Sequence, residues 1–226
     1  MTPPLAPVRL RDLPGGMMIE IVHKQTGDVL RKVQADSLSG QFFEGAKLAG
    51  ANLAKRDLSN SDLQRADLRD ADLSGANLCG AMMAGALIRG ATLDGANLER
   101  CDLTDSFGDG AGFHGANLSG AILRYAKLAE ADFSDATLVG TDLSMADLGC
   151  DFSRANLSRA DMRGSNLSGA VLDGATLLGA NLCDAKLTGA DLAGAHLEGA
   201  IMGAGRRIAA QGFKKKEQRP WWQFWG

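Results

Sequence analysis

Aromatic side chains are scarce in this sequence. There are 12 in 226 residues, four of them in the last six positions, and those four include all three tryptophans. The core of the remaining chain must therefore be aliphatic. Histidine is scarcer still: His23, His114 and His196 lie too far apart along the pattern to share a site. The four cysteines, Cys79, Cys101, Cys150 and Cys183, form no Cys-x-x-Cys pair and have no histidine at metal-ligand spacing. Reduced thiols in a cytoplasmic protein are the expectation. No run of about 18 apolar residues occurs, so no transmembrane helix is expected. Met1 to Gly16 holds four prolines and two arginines but no apolar stretch of signal-peptide type, so no secretory signal is expected. His-Glu-x-x-His, Gly-x-Ser-x-Gly and phosphate-loop motifs are missing, and Gly108, Gly110 and Gly112 lack the strand-to-helix context of a phosphate cradle. Enzyme activity, a cofactor and a metal centre are not expected.

What the chain has is a five-residue beat. From Ala46 to Met202 it returns to Ala-(Asp/Asn)-Leu-x-x, as at Ala51-Asn52-Leu53, Ala66-Asp67-Leu68 and Ala190-Asp191-Leu192. Of 32 repeat centres between Leu48 and Met202, 24 are Leu, and of the 32 positions two residues earlier, 25 are Ala. A period of five suits neither the helix nor the uninterrupted strand. It suits a solenoid of short extended segments separated by turns. Ala and Leu, two apart, point to one side of each segment, and the Asp or Asn between them points out. The closing pair is often Ser-Gly or Arg-Gly, which fits a corner. Each repeat buries its apolar residues only against its neighbours, so the array folds as a unit. A buried Leu contributes roughly 1.5–3 kcal/mol, and two dozen of them make an adequate core.

These residues closely resemble the pentapeptide-repeat family, over about 160 of the 226 positions. The resemblance implies an all-β fold: a right-handed quadrilateral β-helix with four pentapeptides per coil. Thirty-odd repeats then make about eight coils, stacked about 4.8 Å apart in a rod on the order of 40 Å long. Three breaks interrupt the beat. Arg56 stands at a small inward position, so its coil is expected to be imperfect. Gly108 stands at a centre, where Phe107 is expected to turn inward or the segment to bulge. The step from Leu148 to Phe152 is four residues, where a bend or altered corner is expected.

Open solenoid ends expose apolar surface and strand edges, so caps are expected. Met18–His23 and Asp28–Val33, separated by Gln25-Thr26-Gly27, read as a β-hairpin. Arg206–Gln211, ended by Gly212, reads as a short capping helix. The organisation is then a flexible segment over 1–16, a hairpin cap over 17–37, the solenoid over 38–202, and a C-terminal cap and tail over 203–226.

Charge is segregated. Residues 43–202 carry 22 acidic and 13 basic side chains, net −9; residues 203–226 carry six basic and one acidic, net +5. With every fourth pentapeptide assigned to one face, the face of Leu53, Leu73 and Leu93 collects Asp72, Asp94, Asp132, Asp135, Asp151, Asp173 and Asp191 against only Lys55 and Arg154. The opposite face nets −4 with Glu44 included, and the other two are near zero. Such stripes repel nucleic acid, so direct nucleic-acid binding is not expected, and they attract basic protein surfaces. Against this stands a plainer reading, in which Asp and Asn recur because they solvate the wall and support its corners. Asp132 and Asp151 fall on adjacent coils, but two carboxylates without a cage make a poor cation site.

The tail carries Lys214, Lys215, Lys216, Arg219, Trp221, Trp222, Phe224 and Trp225. Four uses are open. The aromatics can fold back over the solenoid end or join two copies; they can dock into a partner's pocket; they can sit at a membrane interface beside the lysines; or they can stack on single-stranded nucleic acid. The family resemblance adds two implications. Members of the quinolone-resistance type protect DNA gyrase and are thought to mimic duplex DNA, and they dimerise through their C-terminal ends. The expectation is a non-enzymatic scaffold for a protein partner that the sequence does not identify. DNA gyrase, a homodimer and a peripheral membrane site are the alternatives.

Overall fold

The structure, a computed structural model, describes residues 17–203 and the pair Arg206–Arg207. Its organising element is a set of parallel bridges between residues 20 apart, or 19 apart across the short step after Leu148, on four walls. Wall A runs from Phe42, wall B from Lys47, wall C from Asn52 and wall D from Asp57. Each rung bonds in both directions: Leu68 N donates to Leu87 O at 2.8 Å, and Asp67 N donates to Ala46 O at 2.9 Å. This is the slanted, evenly spaced pattern of a parallel ladder.

The corners follow from one repeated turn. Ala51 N donates to Leu48 O at 3.0 Å, and Gly50 between them has φ 66°. Positive φ at the third turn residue only is the type II turn. The same geometry recurs every five residues, including at side-chain-bearing residues such as Lys55, Arg100 and Glu130. Each of these carries a penalty of about 1–2 kcal/mol. The ladder bonds on both sides of the corner hold it there.

The interior consists of stacked columns. Leu53, Leu73, Leu93, Phe113, Phe133, Phe152 and Leu172 succeed one another behind wall C, all fully buried. The three phenylalanine rings stack, with centroids 4.5 and 5.2 Å apart. The alanines two residues before the repeat centres are buried too, except Ala185 and Ala195 near the C-terminal end, which are partly buried. A larger side chain there would push adjacent walls apart.

At the three breaks the backbone keeps its register. Arg56 does not spoil its coil: its carbonyl still accepts from Asn77 N at 2.9 Å, while its side chain is exposed. It lies near the start of the ladder, so the guanidinium has a way out to solvent. Phe107 does not turn inward and no bulge forms. Phe107 stays on the outward ladder between Leu87 and Lys127, 41% exposed, with Lys127 Nζ 5.0 Å from its ring centroid. The space at Gly108 is filled by Ile88 and Leu128, whose side-chain atoms come within 3.0 and 2.9 Å of where a Cβ would stand. The short step is an altered corner. Cys150 N donates to Leu148 O at 2.8 Å, closing a three-residue γ-turn around Gly149. The bridge Asp132 to Asp151 then resumes the wall with no face lost.

At the N-terminal end, β1 (Met18–Val22) pairs antiparallel with β2 (Val29–Gln34), and Ile21 and Val33 are buried. Lys24 N donates to Gly50 O at 2.7 Å, and Asn52 N donates to Val22 O at 2.8 Å. His23 lies against Gly50, where an added Cβ would collide with Nε2. At the other end, β3 (Ile201–Met202) pairs antiparallel with β4 (Arg206–Arg207). The expected helix is therefore a strand where it begins. The last rung offers unpaired backbone groups, and a strand satisfies them where a helix would not. Residues 208–212, the rest of the expected helix, lie outside the described residues, as do residues 1–16. Among the described residues no helix is long and apolar enough to cross a membrane.

Two substitutions test this architecture in urea unfolding followed by circular dichroism. Phe133→Ala removes the middle ring of the stack and should destabilise by about 3–5 kcal/mol. Gly50→Ala meets both the φ penalty and His23 and should cost more than Gly95→Ala, where the space is open and only the backbone penalty of about 1–2 kcal/mol applies.

Candidate interaction walls

The outward position of many repeats is an aspartate or asparagine that pins the following corner. Asp72 Oδ1 accepts from Ser74 N at 3.0 Å, Asp102 Oδ1 from Thr104 N at 2.9 Å, and Asn156 Oδ1 from Ser158 N at 3.1 Å. Each is an Asx turn, in which the side chain accepts the amide two residues on and pins the corner. Much of the acidity along the rod is thus also corner support. On wall D the amides extend this into a ladder: Asn77 Nδ2 donates to Asp57 Oδ1 at 2.9 Å, and Asn97 Nδ2 to Asn77 Oδ1 at 3.2 Å.

Wall C receives all seven aspartates expected on it, in two positions. Asp72, Asp132, Asp151 and Asp191 stand on the ladder itself, in line. Asp94, Asp135 and Asp173 stand at or beside the next corner. The ladder carboxylates keep their Asx bonds, Asp132 to Ser134 N at 2.8 Å, Asp151 to Ser153 N at 2.8 Å and Asp191 to Ala193 N at 3.0 Å. Asp94 Oδ1 accepts from His114 N on the following coil at 3.1 Å. Asp132 and Asp151 are neighbours across one rung. Among the described residues no group of three or more Asp, Glu, His or Cys gathers around a common point.

One cluster on this wall escaped the sequence reading. His114 Nδ1 lies 2.9 Å from Ser134 Oγ and 3.8 Å from Asp135 Oδ2. Arg154 grips Asp135 with two bonds of 2.8 and 2.6 Å. The residue types are those of a hydrolytic triad, but the roles are not. Serine and carboxylate approach the same ring nitrogen, whereas a triad needs them on opposite nitrogens, and the carboxylate is already occupied by arginine. The signal available in the sequence was the near-20-residue spacing of 114, 134 and 154.

Arg154 holds the Asp135 carboxyl below its ordinary range, and the Ser74 hydroxyl does the same for Asp72. On walls B and A, Arg69 and Arg163 lower Asp67 and Asp161. Buried Cys101 and Cys150 are pushed up by loss of solvent, while Cys79 and Cys183 are partly exposed. Wall A differs in kind from wall C. Along it Phe42, Met82 and Ile122 are exposed and alternate with Asp62, Asp102 and Asp142. The tail residues Lys214, Lys215, Lys216, Arg219, Trp221, Trp222, Phe224 and Trp225 lie outside the described residues.

Two solution measurements follow. Because the folded carboxylates titrate below their unfolded values, their stabilisation is present above the unfolded pKa and is lost as pH falls through the folded one. The urea midpoint should be flat from about pH 7 to pH 5 and should fall below about pH 4; a midpoint that rises on acidification would contradict this. A thiol reagent should label Cys79 and Cys183 in the native protein and reach Cys101 and Cys150 only after unfolding.

The family profile for pentapeptide repeats matches in eight copies, from residues 46–85 to residues 165–203. Among solved structures, the chain is similar to HetL, a pentapeptide repeat protein involved in heterocyst differentiation regulation from Nostoc sp. strain PCC 7120. Identity is 34%, covering 75% of this chain and 88% of that one, with a TM-score of 0.30. It is also similar to a trypsin-treated variant of QnrB1, a plasmid-mediated fluoroquinolone resistance protein, at 23% identity over 72% and 78% of the two chains, with a TM-score of 0.42. A pentapeptide repeat protein from the Arabidopsis thaliana thylakoid lumen is 32% identical over 50% of this chain and 62% of that one, TM-score 0.20. No curated protein matches the chain. With the repeat profile running over most of its length, the chain belongs to the pentapeptide-repeat family, whose members fold as right-handed quadrilateral β-helices.

Proposed function

We propose that this protein is a non-enzymatic scaffold whose walls, and whose tail, make its contacts with a protein partner. The observation that carries this reading is the sorting of the surface. Inward positions are filled by apolar side chains apart from the small hydroxyls Ser61, Ser106, Thr141 and Ser165, so chemistry is left to the outside, and the outside is divided by wall into an acidic stripe, an amide ladder and an apolar–acidic face. About eight coils, closed at one end by the hairpin and at the other by the strand pair, present these stripes as a stiff rod in the cytoplasm. Wall C fits a basic protein surface. Asp72, Asp132, Asp151 and Asp191 can be replaced by Asn without losing the Asx acceptor, as wall D already shows at Asn97 and Asn156.

The test is chemical cross-linking in a lysate with the wild type and with the fourfold Asp→Asn variant of wall C. A specific partner joined to the wild type and lost from the variant, at unchanged circular dichroism, is the expected result. Equal cross-linking by both would remove wall C from the function.

A second reading, a DNA-mimicking modulator of DNA gyrase, is favoured by the alignment of carboxylates along a straight wall. The stripe is uneven, however: Thr92, Gly112 and Val171 interrupt it. In a gyrase supercoiling assay the wild type should inhibit or protect the enzyme if this reading holds, and the fourfold variant should not. No effect at micromolar wild-type protein would exclude it.

A further inference from the structure

Wall A has the chemistry of a receptor, and the chain leaves the solenoid on that same wall. Read from the C-terminal end, its rungs are Ile201, Asn181, Asp161, Asp142, Ile122, Asp102, Met82, Asp62 and Phe42. After Ile201 and Asn181 come two acids, Asp161 and Asp142, beside Arg163 and Arg124, and exposed apolar side chains then alternate with Asp102 and Asp62. Phe42 is 76% exposed, and Met82 and Ile122 are also exposed. Tyr125 and Met145, 47% and 55% exposed, widen the apolar strip at the adjoining corner. An exposed apolar strip of this kind on an otherwise polar surface marks a contact site. Asp62 and Asp102 hold only the amides of Gln64 and Thr104, with no ion pair among the described residues. Across the whole of wall A, seven acids (Glu44, Asp62, Asp102, Asp105, Asp142, Asp161 and Asp184) face three bases, Arg65, Arg124 and Arg163.

The segment after β4 has the complementary order: Lys214, Lys215, Lys216 and Arg219 first, then Trp221, Trp222, Phe224 and Trp225. It starts from Ile201, the last rung of wall A, through the strand pair β3–β4. Reach is sufficient. From the Ile201 rung to Ile122 is four steps, about 19 Å, and to Met82 six steps, about 29 Å. The 14 residues from Arg207 to Trp221 span up to about 46 Å when extended.

We propose that wall A is the docking site for the chain's own C-terminal tail. The lysines lie against its aspartates, and the tryptophans cover the strip around Ile122 and Met82. A partner that binds wall A or the tail must displace this contact. The contact is intramolecular and stands whether or not wall C binds a partner.

The tail contains every tryptophan of the protein, so intrinsic tryptophan fluorescence reports on it alone. In the full chain the emission should be blue-shifted and shielded from acrylamide, independently of protein concentration, with a monomer mass by light scattering. Met82→Asp with Ile122→Asp changes only outward side chains. It should move the emission to that of the unfolded chain at unchanged circular dichroism, whereas Val171→Asp on wall C should leave it unchanged. Asp142→Asn with Asp161→Asn, which keeps the corner acceptors, should weaken the shielding, as should added salt. Solvent-exposed emission in the wild type overturns the proposal, and so does shielded emission that the wall A variants do not move. Shielding that grows with concentration alongside a dimer mass overturns it in favour of a second copy. A shift seen only with vesicles of phosphatidylcholine and phosphatidylserine overturns it in favour of a membrane surface.

Discussion

A corner every five residues is the constraint on which the rest of the molecule depends. The type II turn needs one residue with positive φ, and the chain supplies it at Gly50, at Glu130 and at every equivalent position except the γ-turn at Gly149. Between corners there is room for three extended residues. Two face inward and one outward, which makes the inner pair Ala and Leu and the outer residue a hydrogen-bonding one. Four corners close a coil, and the same residues return 20 positions later to bond to those before them. Core, ladder and surface stripes all descend from that count.

Much of this was legible in the sequence because the pattern is redundant. Leucines at 48, 53 and 58 predict their own burial, and one irregular repeat among many does not shift the register. The breaks were harder to read because their outcome depends on neighbours in the next coil. Phe107 looked free to turn inward, but turning would have cost it the Lys127 contact and displaced Ile88 and Leu128, which already close over Gly108. Arg56 looked like a flaw, but near the start of the ladder its side chain simply leaves. The strand at Arg206–Arg207 was masked by a locally helix-compatible sequence, and only the unpaired rung at Ile201–Met202 decides in favour of a strand.

The surface repeats the lesson for function. Counting acids by wall located the stripe on wall C, but the count could not tell charge from scaffolding. The hydrogen bonds can, because Asp72, Asp132, Asp151 and Asp191 each also accept a corner amide. Their charge is what distinguishes them from the asparagines of wall D. Wall A was read only through its net charge. Its alternation of Asp62, Met82, Asp102 and Ile122 emerges once residues 20 apart are placed side by side. The His114–Ser134–Asp135–Arg154 cluster emerged in the same way. It serves as a polar brace across three coils.

The walls must remain continuous through the γ-turn at Gly149, since stripes that changed face there would present no common surface. Distance measurement between spin labels at Thr92 and Val171, in a chain whose native cysteines are replaced by alanine, tests this most directly. Both sites project from wall C, four rungs apart. The walls as described predict one narrow distribution centred near the four-rung separation of about 19 Å, with a small allowance for the label arms. A broad distribution, or a peak displaced by the width of the rod because Val171 lies on another wall, would contradict it.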